Sequence, residues 1–146
     1  MMKIWIQNLQ KHISLNPRRI RRVAERILIG LGLSKAELSL LFVNDPFIRE
    51  LNRNYLQRDK PTNVIAFPMG KGEFASLHPV VLGDLVISVE TASRQSPRFG
   101  LSTQEMIILL MIHGILHLIG YDHERSRKDA REMAKKQREL FKTVLG

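Results

Sequence analysis

Met106-Ile-Ile-Leu-Leu-Met-Ile-His113-Gly-Ile-Leu-His117-Leu-Ile-Gly120-Tyr121 is the longest uncharged stretch of this 146-residue chain. It falls short of the roughly 20 residues that cross a bilayer, and it carries two histidines. It therefore reads as the buried helix of a folded core. Ser102 stands ahead of it as a helix cap, with Glu105 three residues on for a reciprocal capping box. Gly120 suits the left-handed backbone that stops a helix and turns the chain back.

Outward from this helix, strand and helix signals mingle along the whole chain. Lys3–Asn8 alternates as a short strand, and Asn16-Pro17 opens a helix with Ile20, Val23, Ile27 and Leu31 at helical spacing. Glu37–Val43 reads as a strand. Asn44-Asp45-Pro46 caps a helix to about Leu56, with Phe47, Ile48, Leu51 and Tyr55 on its inner face. Asn63–Phe67 is a short strand stopped by Pro68, and Met69–Pro79 reads as a loop or irregular hairpin. Val80–Val89 is the strongest strand, followed by a helix over Glu90–Gln95. A basic helix runs from about Glu124 to Leu145. No repeat or linker divides these elements. The expectation is a single α+β domain over residues 1–146, with about four strands in a mixed sheet packed by helices.

Composition narrows the chemistry. Hydrophobic residues make up 44% and charged residues 25%, as in soluble globular proteins. There is no cysteine, so any metal must be held by histidine or carboxylate. Met1–Gln10 lacks the apolar core and cleavage site of a signal peptide. The formal charge is +9, concentrated in two places. Lys3–Arg26 holds seven basic residues and one acid, and Arg125–Lys142 eight against three. Such a field attracts polyanions and makes their binding salt-sensitive; it equally describes two solvated helix faces.

The chain has five histidines, and three of them are His113, His117 and His123. The first two are one helical turn apart on one face, and the reversal at Gly120 can return His123 to them. Three neutral imidazoles suit a tetrahedral zinc with its fourth position open to water. The spacing equals that of H-E-x-x-H-x-x-G-x-x-H zinc peptidases, except that Gly114 stands where those enzymes carry the glutamate base. Such a base contributes about 10²–10⁴-fold, which argues against ordinary peptide hydrolysis. His12 and His78 lack partners at ligand spacing and read as surface residues.

The segment His113-Gly-Ile-Leu-His-Leu-Ile-Gly-Tyr-Asp-His123 resembles the H-G-x-L-H-L-x-G-Y-D-H signature of the YbeY endoribonucleases. Leu51-Asn-Arg-Asn-Tyr-Leu-Gln-Arg-Asp-Lys-Pro-Thr-Asn-Val-Ile-Ala-Phe-Pro68 is similar to the family's L-N-x-x-Y-R-x-x-D-x-P-T-D-V-L-S-F-P. Leu82-Gly-Asp-Leu-Val-Ile-Ser88 is similar to its L-G-D-I-x-I-S strand. The resemblance implies a zinc-dependent, single-strand-directed endoribonuclease with one Zn²⁺ per chain, held by His113, His117 and His123. It implies a role in 3′-end maturation of small-subunit ribosomal RNA and in ribosome quality control, a cytoplasmic location, contact with the small ribosomal subunit and no membrane.

Three positions depart from the pattern. Leu56 replaces the arginine expected on the substrate phosphate, with Arg58 or Arg53 as substitutes, and Asn63 and Ala66 replace the usual Asp and Ser. The candidate catalytic residues are Arg58 for phosphate, Asp122 for orientation or proton transfer, and Asp84 inside the apolar strand, the last balanced against a capping or bulge role. Lys60 reads as an exposed loop charge. Two other functions share these features. One is a metallopeptidase using the same histidine spacing. The other is a non-catalytic RNA-binding protein with a structural zinc.

Overall fold

In a computed structural model, which describes residues 2–69 and 80–145, the expected α+β architecture is present. The order is β1 (Lys3–Asn8), α1 (Pro17–Gly30), β2 (Ala36–Val43), α2 (Asp45–Leu56), β3 (Val64–Pro68), β4 (Val80–Ser88), α3 (Val89–Gln95), a 3₁₀ turn (Ser96–Phe99), α4 (Thr103–Leu118) and α5 (Arg127–Leu145). The four strands form one mixed sheet in the order β1-β2-β4-β3. The first three in that order run parallel, and β3 is antiparallel to β4 at the edge. Most of the expected loop over Met69–Pro79, with His78, lies outside the described residues; Met69 itself extends the ladder by donating its N–H to the Leu82 carbonyl.

Alternation along β2 sends Ala36, Leu38, Leu40 and Phe42 into the main core, and Leu41 and Val43 to the opposite face. In β4 the alternation is broken by design of the backbone. Glu37 pairs with Val81 and Leu38 with Gly83, so Leu82 is an extra residue, a β-bulge. This lets Leu82 and Leu85 both join the main core despite their odd spacing. Gly83 makes the bulge possible: its φ is +135°, and a Cβ there would lie 2.2 Å from the Phe67 carbonyl oxygen.

The main core is built from one sheet face with α1, α4 and α5. At its centre, α4 buries ten residues from Met106 to Leu118, which accounts for its uncharged sequence. Its N-terminus carries the expected capping box between Ser102 and Glu105. No single described helix is long and apolar enough to cross a membrane. A smaller cluster of Val43, Ile48, Ile65 and Val86 lies on the other face under α2.

Three local expectations are corrected. In α2, Ile48 and Asn52 are the buried residues, while Phe47 and Tyr55 are 42% and 62% exposed. The helix covers a narrow apolar strip. Asn44 precedes α2 without a side-chain cap; the Asp45 N–H donates instead to Glu90 Oε1 at 2.8 Å. Finally, α5 starts at Arg127, because the Ser126 hydroxyl accepts from the Asp129 N–H at 3.0 Å, leaving Glu124 in the preceding turn.

Candidate metal centre

The C-terminal half of α4 carries His113 and His117 along its exposed edge, one turn apart. The helix then ends in a Schellman-type turn. Tyr121 N–H donates to the Leu116 carbonyl at 2.9 Å and Gly120 N–H to that of His117 at 3.1 Å, with Gly120 at φ +105°. The reversal brings His123 back, with its ring centroid 5.5 Å from that of His113 and 5.2 Å from that of His117. One ligand atom of each histidine lies within 4.8 Å of the other two.

The donor geometry fits a small tetrahedral cation. Nε2 of His113 and Nε2 of His117 are 3.2 Å apart. Two Zn–N bonds of about 2.0–2.1 Å at a tetrahedral angle span roughly 3.3 Å. The tautomer is consistent with this. His113 Nδ1 lies 2.9 Å from Gln137 Oε1, a pairing in which the Nδ1-protonated tautomer donates to the amide oxygen and leaves the Nε2 lone pair for a ligand. Burial lowers the pKa of both His113 and His117 below 6.5, opposed at His113 by the Gln137 hydrogen bond and at His117 by the charges of Asp122 and Glu124. Neutral imidazole, the form that binds metal, is therefore favoured. Among the described residues the cluster offers three histidine ligand atoms, one fewer than a closed tetrahedral site uses.

Gly114 has a structural reason as well as a chemical one. A Cβ at this position would lie 2.7 Å from Leu85 Cδ2 and 3.3 Å from Val64 Cγ2. Leu85 is itself fully buried, so α4 rests directly on β4 and β3 here. Any side chain after the first histidine would have to displace the buried Leu85 side chain on this face.

The histidines line an open hollow that also draws residues from distant segments of the chain. Arg58 and Lys60, both exposed, come from the loop after α2, and Arg94 and Arg98 come from α3 and the 3₁₀ turn. The loop is tied down by Asn52, which is 2% exposed and donates through Nδ2 to the Lys60 carbonyl at 2.8 Å, while its own carbonyl accepts from Arg58 N–H at 3.2 Å. Arg94 is held by Asp45 Oδ2 at 2.7 Å and by Thr91 Oγ1 at 3.0 Å. Although partial burial opposes it, the hydrogen bonds from Thr91, Ser88 and Arg94 keep the Asp45 carboxyl below its ordinary range.

The candidate residues thus divide. Arg58 and Asp122 share the hollow with the three histidines. Asp122 Oδ1 accepts from the Glu124 N–H at 2.8 Å, bracing the turn that carries His123. Arg53 faces Glu50 at 3.8 Å and is not part of the lining. Asp84 is not brought to the site. It directly follows the bulge, on the sheet face away from Leu85 and α4, where it is exposed beside Trp5, Glu37 and Ser39. Gln137, Asn52 and Arg94 were not singled out from the sequence. Gln137 had a readable signal, since it is the polar member of the inner stripe Met133, Gln137, Leu140, Val144 of α5. Arg94 had none, because its neighbours come from a different segment.

A mixed-sheet α+β protein with two imidazoles on its core helix, a third from the turn after it, and Arg58, Lys60, Arg94 and Arg98 lining the same hollow has a candidate metal site suited to an anionic substrate. The family model of Endoribonuclease YbeY matches residues 5–145. Proteins named Endoribonuclease YbeY from Geobacter metallireducens and Syntrophotalea carbinolica are 48% and 47% identical, with 96% and 97% of this chain and 94% and 95% of the relatives covered. One of the same name from Aquifex aeolicus is 46% identical over 87% of this chain and 80% of its own length. The solution structure of a Thermotoga maritima protein shares the fold, with a TM-score of 0.67 at 24% identity, covering 97% of this chain and 88% of that one. The chain belongs to the YbeY endoribonuclease family.

Proposed function

We propose that this chain is a zinc-dependent endoribonuclease that cuts single-stranded RNA, with small-subunit ribosomal RNA, at its 3′ end, as the substrate. The observation that carries the reading is the convergence of His113, His117 and His123 in one open hollow that Arg58 and Arg94 also line. The names of relatives nearly half identical to this chain support the same activity. Ribosomal RNA, contact with the small subunit, a part in ribosome quality control and a cytoplasmic location extend that reading.

A zinc held by three neutral imidazoles would keep its full charge and would supply Lewis acidity to a phosphoryl oxygen or to water. His113, His117 and His123 would hold it, with Gln137 fixing the His113 ring. Arg58, free of a carboxylate partner among the described residues, neutralises a phosphate oxygen, and Arg94 offers a second, pre-positioned guanidinium. Asp122 steadies the His123 turn through Oδ1 and, with Glu124, is a candidate to take a proton.

A metallopeptidase is the alternative favoured by the histidine spacing, and the contact of Gly114 with Leu85 and Val64 counts against it. A binding protein with a structural zinc is disfavoured by a cluster one ligand short of a closed site. The test is metal analysis of the purified protein with parallel assays on single-stranded RNA and casein. About one zinc per chain with RNA cleavage is expected. Casein cleavage without RNA cleavage overturns the assignment, and zinc with neither activity supports the binding protein.

A further inference from the structure

Tyr55 does not behave as its place in an apolar stripe predicts. Its side chain is 62% exposed and the adjoining Leu56 49%. The ring is nevertheless braced. It meets the Phe67 ring edge-on, with centroids 5.5 Å apart and an interplanar angle of 77°. Phe67 in turn is fixed in β3 opposite Asp84 and packs against the small core cluster beneath α2. Tyr55, Leu56 and Phe67 line the same hollow as the three histidines, and Arg58 and Lys60 follow them on the same wall. An ordered aromatic face, water-exposed and flanked by cations, matches the alternation of flat base and anionic phosphate along a nucleic-acid strand.

We propose that Tyr55, buttressed by Phe67, is a nucleobase-stacking subsite that holds one unpaired base of the RNA beside the histidine centre. The proposal rests on the RNA reading of the site and adds a physical source for its preference for single strands. In a duplex both faces of each base are already covered by neighbouring pairs, so the Tyr55 ring gains contact only when a base is unstacked. Stacking accepts any base, because each has a π face, so the subsite selects strand state and not sequence. Leu56 extends the apolar rim, and the phosphate is left to Arg58 and its neighbours.

The test is titration of the protein as isolated with a short single-stranded RNA carrying 2-aminopurine, together with kcat and KM on the unlabelled RNA. For the wild type, quenching of the probe is expected. Tyr55→Ala and Tyr55→Leu should abolish the quenching and raise KM about 5- to 100-fold, with kcat little changed. Tyr55→Phe and Tyr55→Trp should keep both, and metal content should equal the wild type throughout. Tyr55→Leu preserves an apolar contact with Phe67, so its failure isolates the π face from packing. Equal RNA affinity in wild type and Tyr55→Ala overturns the subsite while leaving the endoribonuclease reading intact. So does a loss in Tyr55→Phe as large as in Tyr55→Ala, which assigns the effect to the hydroxyl. A wild type that neither binds nor cuts RNA overturns both readings.

Discussion

The two sides of the hollow are built on different principles. The histidine side is local in sequence: one helix and the turn after it supply all three imidazoles, and the helix is locked against the sheet at Gly114. The cationic side is assembled from the end of α2, its following loop, β3 and α3. It depends on tertiary hydrogen bonds such as Asn52 to Lys60 and on the Asp45–Arg94 ion pair. The difference teaches where each side is vulnerable. The first should fail by losing a ligand, and the second by losing the contacts that hold a loop in place.

The largest effect is expected from His117→Ala. Two imidazoles cannot retain the metal that three hold, so stoichiometric zinc and RNA cleavage should disappear together, by metal analysis and a cleavage assay. Full cleavage without zinc would break the distinction between a metal-bearing side and a substrate-gripping side. Next is Gln137→Leu, which removes the acceptor for His113 Nδ1 while keeping apolar bulk. Zinc affinity in a chelator competition should fall about 10- to 100-fold, and Gln137→Glu should restore it. Unchanged affinity for the leucine variant refutes the orienting role.

Asn52→Ala tests the other side. Loss of a buried hydrogen-bonded amide should cost about 1–3 kcal/mol in denaturant unfolding and raise KM for RNA, with zinc content intact. If zinc is lost instead, the two sides are not separable. The mildest effect is that of pH on the metal-free protein. His113 and His117 have native pKa values below 6.5, so between those values and 6.5 the unfolded chain binds more protons than the native one. Stability should be level above 6.5 and fall as pH drops below it, and the slope should vanish in a variant with both histidines replaced. Urea midpoints across this range provide the measurement.

Much of the fold was legible because its signals are local. The caps at Asn16 and Ser102, the alternation of Lys3–Asn8 and the apolar run of Val80–Ser88 each act within a few residues. Errors arose where a residue's environment is decided by a remote partner. Tyr55 fits a helical stripe, yet it meets the edge strand only through the Phe67 ring and stays largely exposed. Asp84 sits in the apolar β4, yet the bulge before it settles which face it occupies. Arg58 and Arg53 were equal candidates by spacing. Only Arg58 lines the hollow, since the left-handed backbone at Gln57 ends α2 and turns the chain there.

The three-imidazole cluster was readable from the sequence, because 3.6 residues per turn and one helix-ending glycine leave little freedom to His113, His117 and His123. The sequence also determined the absence of a peptidase base at Gly114. The tertiary structure alone decided what surrounds that cluster: Gln137 behind His113, Arg58 and Arg94 in the same hollow, and Tyr55 standing open at its rim. The reason is physical range. Helical geometry carries positional information over about one or two turns, whereas the meeting of α2, α3 and α5 around α4 is set by how their apolar faces pack on a common sheet.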